Sequence, residues 1–337
     1  MKKSTYKFIL RFLTVNAILY LIASFVLINW PKPTIESTKN YDFSSVRKSA
    51  SAEGFSKELN IPLRDGKQLF SRVYTSDSDR VLIFLHGSGT DSRYLSQASN
   101  YFANSSLCTV ITPDLRGHGR SAFGNKGDLT YMGQLEDDIE DMIRYIEKSY
   151  HPKMILLAGH SSGGGLALRY VSNKNVTPVD GAVLFSPYLG YKSPTIKPGN
   201  GNWVTVSIKR WVGLSMLSNI GIEQFNGQRV LFFNRAQKWN DSLQVADYSY
   251  RMVKSMDPKD YQEDIENISS PTLVMVGRKD ESFFADKFKE VFAVSKYATT
   301  NIVEEAAHLN VVDHPTTLNT IENWLLDLQR KQVMANK

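Results

Sequence analysis

The stretch LLAGHSSGGGLA within the 337-residue chain places Ser161 between two glycines at the end of an apolar run. A serine hydroxyl is a poor nucleophile at neutral pH unless a base removes its proton. A sharp strand-to-helix turn exposes such a hydroxyl, and it crowds the positions two before and two after the serine. Gly159 and Gly163 satisfy this requirement, whereas Ser162 cannot be the centre because His160 lies two positions before it. The spacing predicts a nucleophilic Ser161; the alternative is a tight turn only.

A serine nucleophile of this kind needs a general base that follows it in the chain. Among the six histidines, His308 is the preferred candidate because it lies in a loop between the strand-like NIVE and an amphipathic C-terminal helix. His151 is expected in a surface turn before the serine's strand. His314 precedes a proline at a predicted helix start. The sequence therefore predicts His308 as the base.

The acid that orients the base should lie between the serine and the histidine. Asp280 follows the apolar run TLVMV by the turn GRKD, so its carboxylate should emerge at the same end of the sheet as Ser161. Asp286 is expected within the next helix, and Asp313 lies very close to the histidine. Asp280 is therefore the predicted acid, and the other two are lesser candidates.

Catalysis by a serine also requires backbone N–H groups that stabilise the developing oxyanion. One donor is the amide of Ser162, directly after the nucleophile. The segment HGSG follows the apolar run VLIFL, and the second predicted donor is the amide of Ser88 within it. His86 and His118 are expected to brace loops by hydrogen bonds rather than to take part in catalysis.

Short apolar runs alternate with helical patterns after the first fifty residues. Leucine, isoleucine and methionine recur at helical spacing in Gln134 to Tyr150, and a second apolar stripe marks the C-terminal helix. The acidic run EDDIED in the first helix is expected to be a solvated surface. Apolar strands separated by helices predict a mostly parallel α/β sheet. The predicted strands are Val81 to Leu85, Thr109 to Thr112, Met154 to Ala158, Ala182 to Phe185 and Thr272 to Val276.

The interval from about 187 to 260 breaks this alternation and predicts an inserted cap. Its aromatic residues could form the small core of the cap, and as a set they also suit an apolar substrate pocket. Both interpretations remain open from the sequence. The aromatic residues in question are Trp203, Trp211, Phe225, Phe232, Phe233 and Trp239.

The first thirty residues predict a membrane anchor. Phe12 to Trp30 is a run of about nineteen residues without a charge, which matches the hydrocarbon core of a bilayer. Four basic residues precede the run and only Lys32 follows closely, which predicts a cytoplasmic N-terminus. A cleaved signal peptide is the alternative, although no good cleavage site is present. Residues 31–54 read as a linker, and the folded domain is predicted at 55–330.

Composition restricts the partners of the chain. Charged residues make up 22% and hydrophobic residues 42%, as in ordinary globular proteins. The net charge of +6 is not concentrated in a basic block, so nucleic-acid binding is not expected. Cys108 is the single cysteine and cannot form an intramolecular disulfide. No pattern predicts a metal site or an organic cofactor.

The motifs FLHGSG, PDLRGHGRS, GHSSGG, GRKD and AAH resemble those of α/β-hydrolases, in the same order. The resemblance covers roughly residues 55–328 and is greatest to the monoacylglycerol lipase, lysophospholipase and serine aminopeptidase-like branch. It implies an α/β-hydrolase fold with the cap inserted after the strand that ends near Ser186. It also implies structural roles for Asp114, Arg116, Gly117 and Gly119 in a turn beside the site.

Taken together, these features predict a membrane-anchored serine hydrolase with the catalytic residues Ser161, Asp280 and His308. Its predicted substrates are lipid-like or medium-chain acyl esters, and the hydrolase domain is expected outside the cytoplasm or, after cleavage, secreted. Acyl transfer or peptide hydrolysis by the same residues are alternatives. A non-catalytic binding module with the same fold is the alternative from a different class.

Overall fold

A computed structural model of the protein describes residues 3–38, 41, 56–237 and 241–335. Eight strands form the main sheet, in the order β1-β2-β4-β3-β5-β6-β10-β11, and three more form a small second sheet. Within the described residues the strands are β1 (Ser56–Pro62), β2 (Gln68–Tyr74), β3 (Arg80–Leu85), β4 (Thr109–Pro113), β5 (Met154–His160), β6 (Gly181–Phe185), β7 (Val204–Val206), β8 (Arg229–Phe233), β9 (Asp247–Ser249), β10 (Thr272–Gly277) and β11 (Ala298–Val303).

The prediction of a mostly parallel sheet is confirmed. Strands β4, β3, β5, β6, β10 and β11 pair in parallel, and all five predicted strands are present. The antiparallel hairpin of β1 and β2, which adds the other edge of the sheet, was not predicted from the sequence. Asp65 and Gly66 lie in its turn, where Gly66 has a φ of 78°. An Asp-Gly pair is a recognised hairpin signal and could have revealed these strands.

Helices cover both faces of the main sheet and explain the apolar stripes of the sequence. The predicted helix Gln134–Tyr150 has these same bounds, and its stripe from Leu135 to Ile146 is buried. The apolar stripe of the C-terminal helix is buried as well. The described α-helices are α1 (Lys3–Ile28), α2 (Ser96–Asn104), α3 (Gln134–Tyr150), α4 (Ser162–Val171), α5 (Ile208–Ser218), α6 (Tyr250–Met256), α7 (Tyr261–Glu266), α8 (Ala285–Phe292) and α9 (Pro315–Ala335).

The expectation that the acidic run of α3 is a solvated surface was wrong. Asp138 and Asp141 are only 4% and 7% exposed. The guanidinium of Arg116 binds both carboxylate oxygens of Asp138 at 2.8 Å, and Arg64 contacts Asp141 from the turn after β1. The arginines come from distant parts of the chain, so the helix pattern alone gives no sign of them. Burial of these carboxylates follows from their pairing with the arginines.

A smaller layer lies in the chain between β6 and β10. It contains the antiparallel strands β7, β8 and β9 with helices α5, α6 and α7. This layer falls largely within the predicted cap at about 187–260. Trp239 of that prediction lies outside the described residues. The loops that join the layer to β6 and β10 bring it above the carboxyl ends of the parallel strands.

The N-terminal helix is longer than the predicted span and begins at Lys3. The most apolar window of its segment Thr5–Ile28 has a mean hydropathy of 2.0, and only 6% of that window is buried. This exposure argues against a buried core helix. Of the predicted linker at 31–54, residues 39, 40 and 42–54 lie outside the described residues, as does Phe55 at the predicted start of the domain.

Candidate active site

Ser161 occupies a strained turn between β5 and α4. Its φ of 54° and ψ of −118° are rare for a residue with a side chain. A Cβ atom on Gly159 would lie 2.1 Å from the carbonyl oxygen of Gly163, and one on Gly163 would lie 2.4 Å from that of His86. Because both obstacles are backbone atoms, neither can move aside cheaply. The two glycines allow the turn that raises the serine hydroxyl above the sheet.

Three of the predicted site residues meet in one hydrogen-bonded chain. The Ser161 hydroxyl lies 3.1 Å from Nε2 of His308, and Nδ1 of His308 lies 2.8 Å from Oδ2 of Asp280. Asp280 follows β10, and His308 lies in the loop after β11. Since β5, β10 and β11 run parallel, the three side chains arise at the same end of the sheet. Neutral His308 can accept the serine proton while its other nitrogen donates to the carboxylate.

The carboxylate of Asp280 is buried but well supported. Its Oδ1 accepts hydrogen bonds from the amides of Ser282 and Phe283, at 2.8 and 3.0 Å. Burial by itself would raise the pKa of Asp280, but the neighbouring His308 and the amide of Ser282 outweigh it and hold the pKa below 3.8. The group is therefore ionised at neutral pH and can stabilise a positive charge on the imidazole.

The surroundings of His308 raise its affinity for a proton. Burial would lower the pKa of the imidazole, yet the charge and hydrogen bond of Asp280, with a contribution from Glu281, raise it above 6.5. Glu281 also accepts a hydrogen bond from the His308 amide, at 2.9 Å. Asp280 therefore orients the imidazole, and the two carboxylates together make it a stronger base.

The two predicted oxyanion donors flank the serine. The amide of Ser162 opens α4, where the first N–H groups have no partner within the helix. On the other side, the amides of Gly87 and Gly89 bind the hydroxyls of Tyr94 and Tyr248, both at 2.7 Å. Among the described residues, the amides of Ser88 and Ser162 have no hydrogen-bond acceptor. Both remain available to an incoming oxyanion.

His160 and Tyr94 form a support that the sequence analysis did not assign. The Tyr94 hydroxyl donates to Nδ1 of His160 at 2.8 Å, and Nε2 of His160 donates to the carbonyl of His308 at 2.9 Å. Burial, reinforced by the charge of His308, lowers the pKa of His160 to about 3, so the ring stays neutral. This chain of contacts ties the Gly87 loop to the loop that carries His308. No local pattern in the sequence signals it.

His86 and His118 have contacts of the bracing kind expected of them. Nε2 of His86 accepts a hydrogen bond from the amide of Leu115 at 3.0 Å. His118 binds the hydroxyl of Tyr248, the same cap residue that holds the Gly89 amide. Burial lowers the pKa of both histidines. They connect the loops after β3 and β4 with the small layer.

A small cavity that opens to solvent lies above Ser161. Tyr41, from the segment that follows the N-terminal helix, forms part of its wall. The Tyr41 ring lies 5.4 Å from that of Trp203 and 6.1 Å from that of His308, and its hydroxyl binds Ser282. The lining residues are Tyr41, Gly87, Ser88, Thr90, Tyr94, His160, Ser161, Trp203, His308 and Leu309.

Only one of the described cap aromatics from the sequence analysis lines this cavity, namely Trp203. Trp211 packs on Tyr250 with ring centroids 5.0 Å apart, and Phe225 packs on Phe25 of α1 at 5.3 Å. Phe232 and Phe233 are 2% and 7% exposed and belong to the core of the small layer. For Trp211, Phe232 and Phe233 the core interpretation is the better one, whereas Phe225 belongs to the contact with α1.

The weaker candidates lie apart from the site. Asp286 pairs with Arg278 at 2.7 Å on an exposed surface. His151 ends α3 with a φ of 46°, and Nδ1 of His314 accepts a hydrogen bond from the amide of Thr316. Within the part of the chain that the structure describes, no three His, Cys, Asp or Glu side chains are grouped to hold a metal ion.

Comparison with known proteins places this geometry in a family. The profile of the Hydrolase_4 family, described as serine aminopeptidase, S33, matches residues 76–314. This range holds all the residues of the hydrogen-bonded chain described above. The match covers well over half of the chain.

Individual relatives are more distant. Protein phosphatase methylesterase 1 of Bos taurus is 32% identical over 140 residues, which is 41% of this chain and 35% of that protein. The chain thus matches about a third of the length of these curated relatives. The AB hydrolase superfamily protein YisY of Bacillus subtilis is 25% identical over 222 residues, or 63% of this chain and 78% of that protein.

Among solved structures, a soluble variant of monoglyceride lipase from Saccharomyces cerevisiae superposes with a TM-score of 0.62. It is 16% identical, and the alignment covers 82% of this chain and 97% of the lipase. At this identity the likeness concerns the fold. The α/β-hydrolase fold expected from the motifs is confirmed.

Proposed function

We propose that the protein is a serine hydrolase that cleaves carboxylic esters. The proposal starts from its family, since the chain belongs to the Hydrolase_4 family (serine aminopeptidase, S33) of α/β-hydrolases. The observation that carries this proposal is the hydrogen-bonded chain from Ser161 through His308 to Asp280. A binding module would have no need for a strained serine turn, a raised histidine pKa and two available amides together.

In the first half of the reaction, the Ser161 oxygen attacks the ester carbonyl and its proton passes to Nε2 of His308. The carbonyl oxygen becomes an oxyanion, which the amides of Ser88 and Ser162 stabilise. Asp280 stabilises the imidazolium without taking its proton. The C–O bond to the alcohol then breaks, His308 returns the proton to the alcohol, and an acyl-enzyme remains on Ser161.

In the second half, a water molecule takes the place of the alcohol. His308 removes its proton, the hydroxide attacks the acyl carbon, and the same two amides stabilise the second oxyanion. Collapse of this intermediate releases the carboxylic acid and restores the Ser161 hydroxyl. An alcohol in place of water would give acyl transfer by the same steps, and product analysis with added alcohols separates the two.

The proposed substrates are lipid-like or medium-chain acyl esters. One sequence relative supports an ester rather than a peptide, since its name describes a methylesterase. The aromatic rings of Tyr41 and Trp203 beside Ser161 suit an apolar acyl or alcohol group. The exposed apolar helix α1 supports a substrate that is found at a membrane.

We further propose that α1 spans the membrane with its N-terminus in the cytoplasm. Lys7 and Arg11 lie at the start of the helix and Lys32 alone follows it closely, which fits the positive-inside rule. Fusions of alkaline phosphatase and of green fluorescent protein to the C-terminus of the full chain test this orientation in a bacterial host. We expect active phosphatase and dark fluorescent protein, and the reverse result would disprove it.

The chemistry is tested with p-nitrophenyl esters from acetyl to palmitoyl and with a fluorophosphonate probe. We expect Ser161→Ala to lower hydrolysis by roughly 10⁴- to 10⁶-fold and to abolish labelling, because the nucleophile is lost. Ser105→Ala is the matched control, since Ser105 is exposed at the end of α2. Folded wild-type protein that neither hydrolyses an ester nor reacts with the probe would favour the non-catalytic alternative.

A further inference from the structure

Helix α5 of the small layer carries an apolar stripe on its outer surface. Ile208, Val212, Met216 and Ile220 recur at every fourth position, which places them on one side of the helix and its following turn. Ile208 is 70% exposed, Val212 is 43% exposed and Ile220 is 53% exposed. Met216 between them is half-buried. An exposed apolar stripe of this kind marks a surface that meets another apolar phase.

The last third of α1 packs against α5 in the antiparallel direction. The Tyr20 hydroxyl donates to the carbonyl of Met216 at 2.8 Å. Further along, a Cβ on Gly213 would lie 2.7 Å from the Ser24 carbonyl, so the two helix backbones touch there. Ser24 is fully buried in this contact. Helix α5 therefore lies beside the segment of α1 from Tyr20 to Ile28.

Basic and aromatic residues mark the end of this helix pair that is nearest to the folded domain. Arg210 donates hydrogen bonds to the carbonyls of Ile28 and Trp30, both at 3.0 Å, and so closes the C-terminus of α1. The Lys209 ammonium lies 3.3 Å from the centroid of the Trp30 ring. Such residues are typical of the boundary between headgroups and acyl chains.

The length of α1 then sets the depth of α5. The segment Thr5 to Leu19, which precedes the contact with α5, is about 22 Å long at helical rise. A bilayer core is about 30 Å thick. Because Arg11 is charged, the uncharged part of α1 that precedes its contact with α5 is shorter still. If α1 spans the bilayer, part of Tyr20 to Ile28 must lie within the acyl chains, and α5 lies there beside it.

We infer that α5 is embedded in the leaflet nearest to the hydrolase domain and that its apolar stripe contacts the acyl chains of the bilayer. This inference rests on the proposed ester hydrolysis and on α1 as a membrane span, and it names the substrate class as acyl esters held in that leaflet. The exposed Glu223 and Gln224 in the loop after α5 limit the depth to the upper acyl region.

The embedded helix is directly connected to the cavity. Strand β7 precedes α5, and Trp203, immediately before β7, lines the cavity and donates from its ring nitrogen to the Ser88 hydroxyl at 3.3 Å. Only four residues separate Trp203 from Ile208. The mouth of the site therefore lies close to the membrane surface, where a lipid can enter without crossing water.

Depth-dependent quenching tests the insertion in the full chain. A nitrobenzoxadiazole dye is attached to Val212→Cys, and the protein is reconstituted in phosphatidylcholine and phosphatidylglycerol vesicles with or without a doxyl-labelled lipid. The native Cys108 is buried and its thiol pKa is raised to about 12, so it should not react. Val294→Cys is the control, because Val294 is 60% exposed in the turn between α8 and β11.

We expect doxyl lipid to quench the dye at position 212 and to leave the dye at position 294 unchanged. If doxyl lipid left the emission at position 212 as unchanged as the emission at position 294, the inference would be overturned. A blue-shifted emission at 212 that doxyl lipid does not quench would also overturn it, since protein, such as a second copy, would then cover the stripe.

Activity tests the substrate class separately. We expect Val212→Asp to lower the hydrolysis of an acyl ester within vesicles about tenfold relative to a soluble short ester, because burial of one valine corresponds to about that factor. Val294→Asp should not change this ratio. An unchanged ratio for Val212→Asp would overturn the assigned substrate class. If doxyl lipid quenched the dye at position 212 but the protein hydrolysed no ester, the insertion of α5 would be supported and the proposed ester hydrolysis would be wrong.

Discussion

At the scale of single residues, the protonation of His308 depends mainly on the carboxylate of Asp280, with a smaller contribution from Glu281. Asp280 is fully buried, and its hydrogen bond to Nδ1 of His308 leaves Nε2 to face Ser161. The same carboxylate raises the pKa of the imidazole above 6.5. Since only neutral His308 can accept the serine proton, the activity of the protein should fall as the pH drops below this raised pKa.

We expect Asp280→Asn to lower kcat/KM by about 10⁴-fold, because the amide favours the wrong tautomer of His308. The acid-side midpoint of the pH profile should move to lower pH, since the negative charge that raises the His308 pKa is gone. Both changes are measured as kcat/KM against pH with a soluble ester.

Asp286→Asn is the matched control for this experiment. Asp286 pairs with Arg278 on the surface, so its replacement should change neither the rate nor the midpoint. A profile for Asp280→Asn with an unchanged midpoint would show that another group controls the protonation of His308.

The sequence pattern predicted Ser161, Asp280 and His308 because each lies directly after a recognisable strand, and the structure brings these three together. It did not identify Tyr94, although that hydroxyl joins the Gly87 loop to His160. It also did not identify Tyr41, which reaches the cavity from the predicted linker. Their roles depend on contacts between distant segments, which leave no spacing pattern in the chain.

At the scale of elements, the crossing of α1 and α5 depends on Gly213. The absence of a side chain there allows the helices to touch, since a Cβ would lie 2.9 Å from the Ile28 amide as well as 2.7 Å from the Ser24 carbonyl. Glycine is otherwise unfavourable within a helix. Its presence in α5 is explained by the close approach of α1.

Gly213→Leu should therefore have opposite effects in two forms of the protein. In the full chain we expect a loss of about 1–3 kcal/mol in the free energy of unfolding, because leucine forces α1 away. In protein that lacks residues 1–30 we expect a gain of up to about 1 kcal/mol, because leucine is a better helix former than glycine. Denaturant titration in detergent, followed by tryptophan fluorescence, measures both.

Val212→Leu is the control on the same helix, since Val212 points outward, and it should change both forms little. A Gly213→Leu variant with the same change in stability in both forms would contradict the packing of α1 on α5.

Helices and buried strands were the elements best predicted from the sequence. The apolar stripe of α3 was enough to predict which side of the helix is buried and where the helix begins and ends. Its acidic residues were misjudged, because Asp138 is paired by Arg116, which lies on the other side of a long loop. The hairpin of β1 and β2 was missed because its strands are polar at several positions and lie at the edge of the sheet.

At the scale of the whole molecule, the order of the motifs was enough to predict the α/β-hydrolase fold, since each motif follows a strand of the parallel sheet. The arrangement of the small layer could not be predicted in the same way. Its aromatic residues have no common period, and Phe225 packs on Phe25 of α1 rather than in the cavity. Composition indicated apolar surfaces there but not their partners.

If α1 spans a membrane as proposed, the short connection from α1 to Tyr41 also limits how far the candidate active site can be from that membrane. The thirteen residues from Ile28 to Tyr41 can extend over no more than about 45 Å, and Thr38 is held to Asn234 along the way. A hydrolase held this close to a bilayer would meet esters only within the adjacent bilayer surface. Its rate should follow the mole fraction of ester in that surface, a two-dimensional concentration, rather than the amount of ester in the surrounding solution.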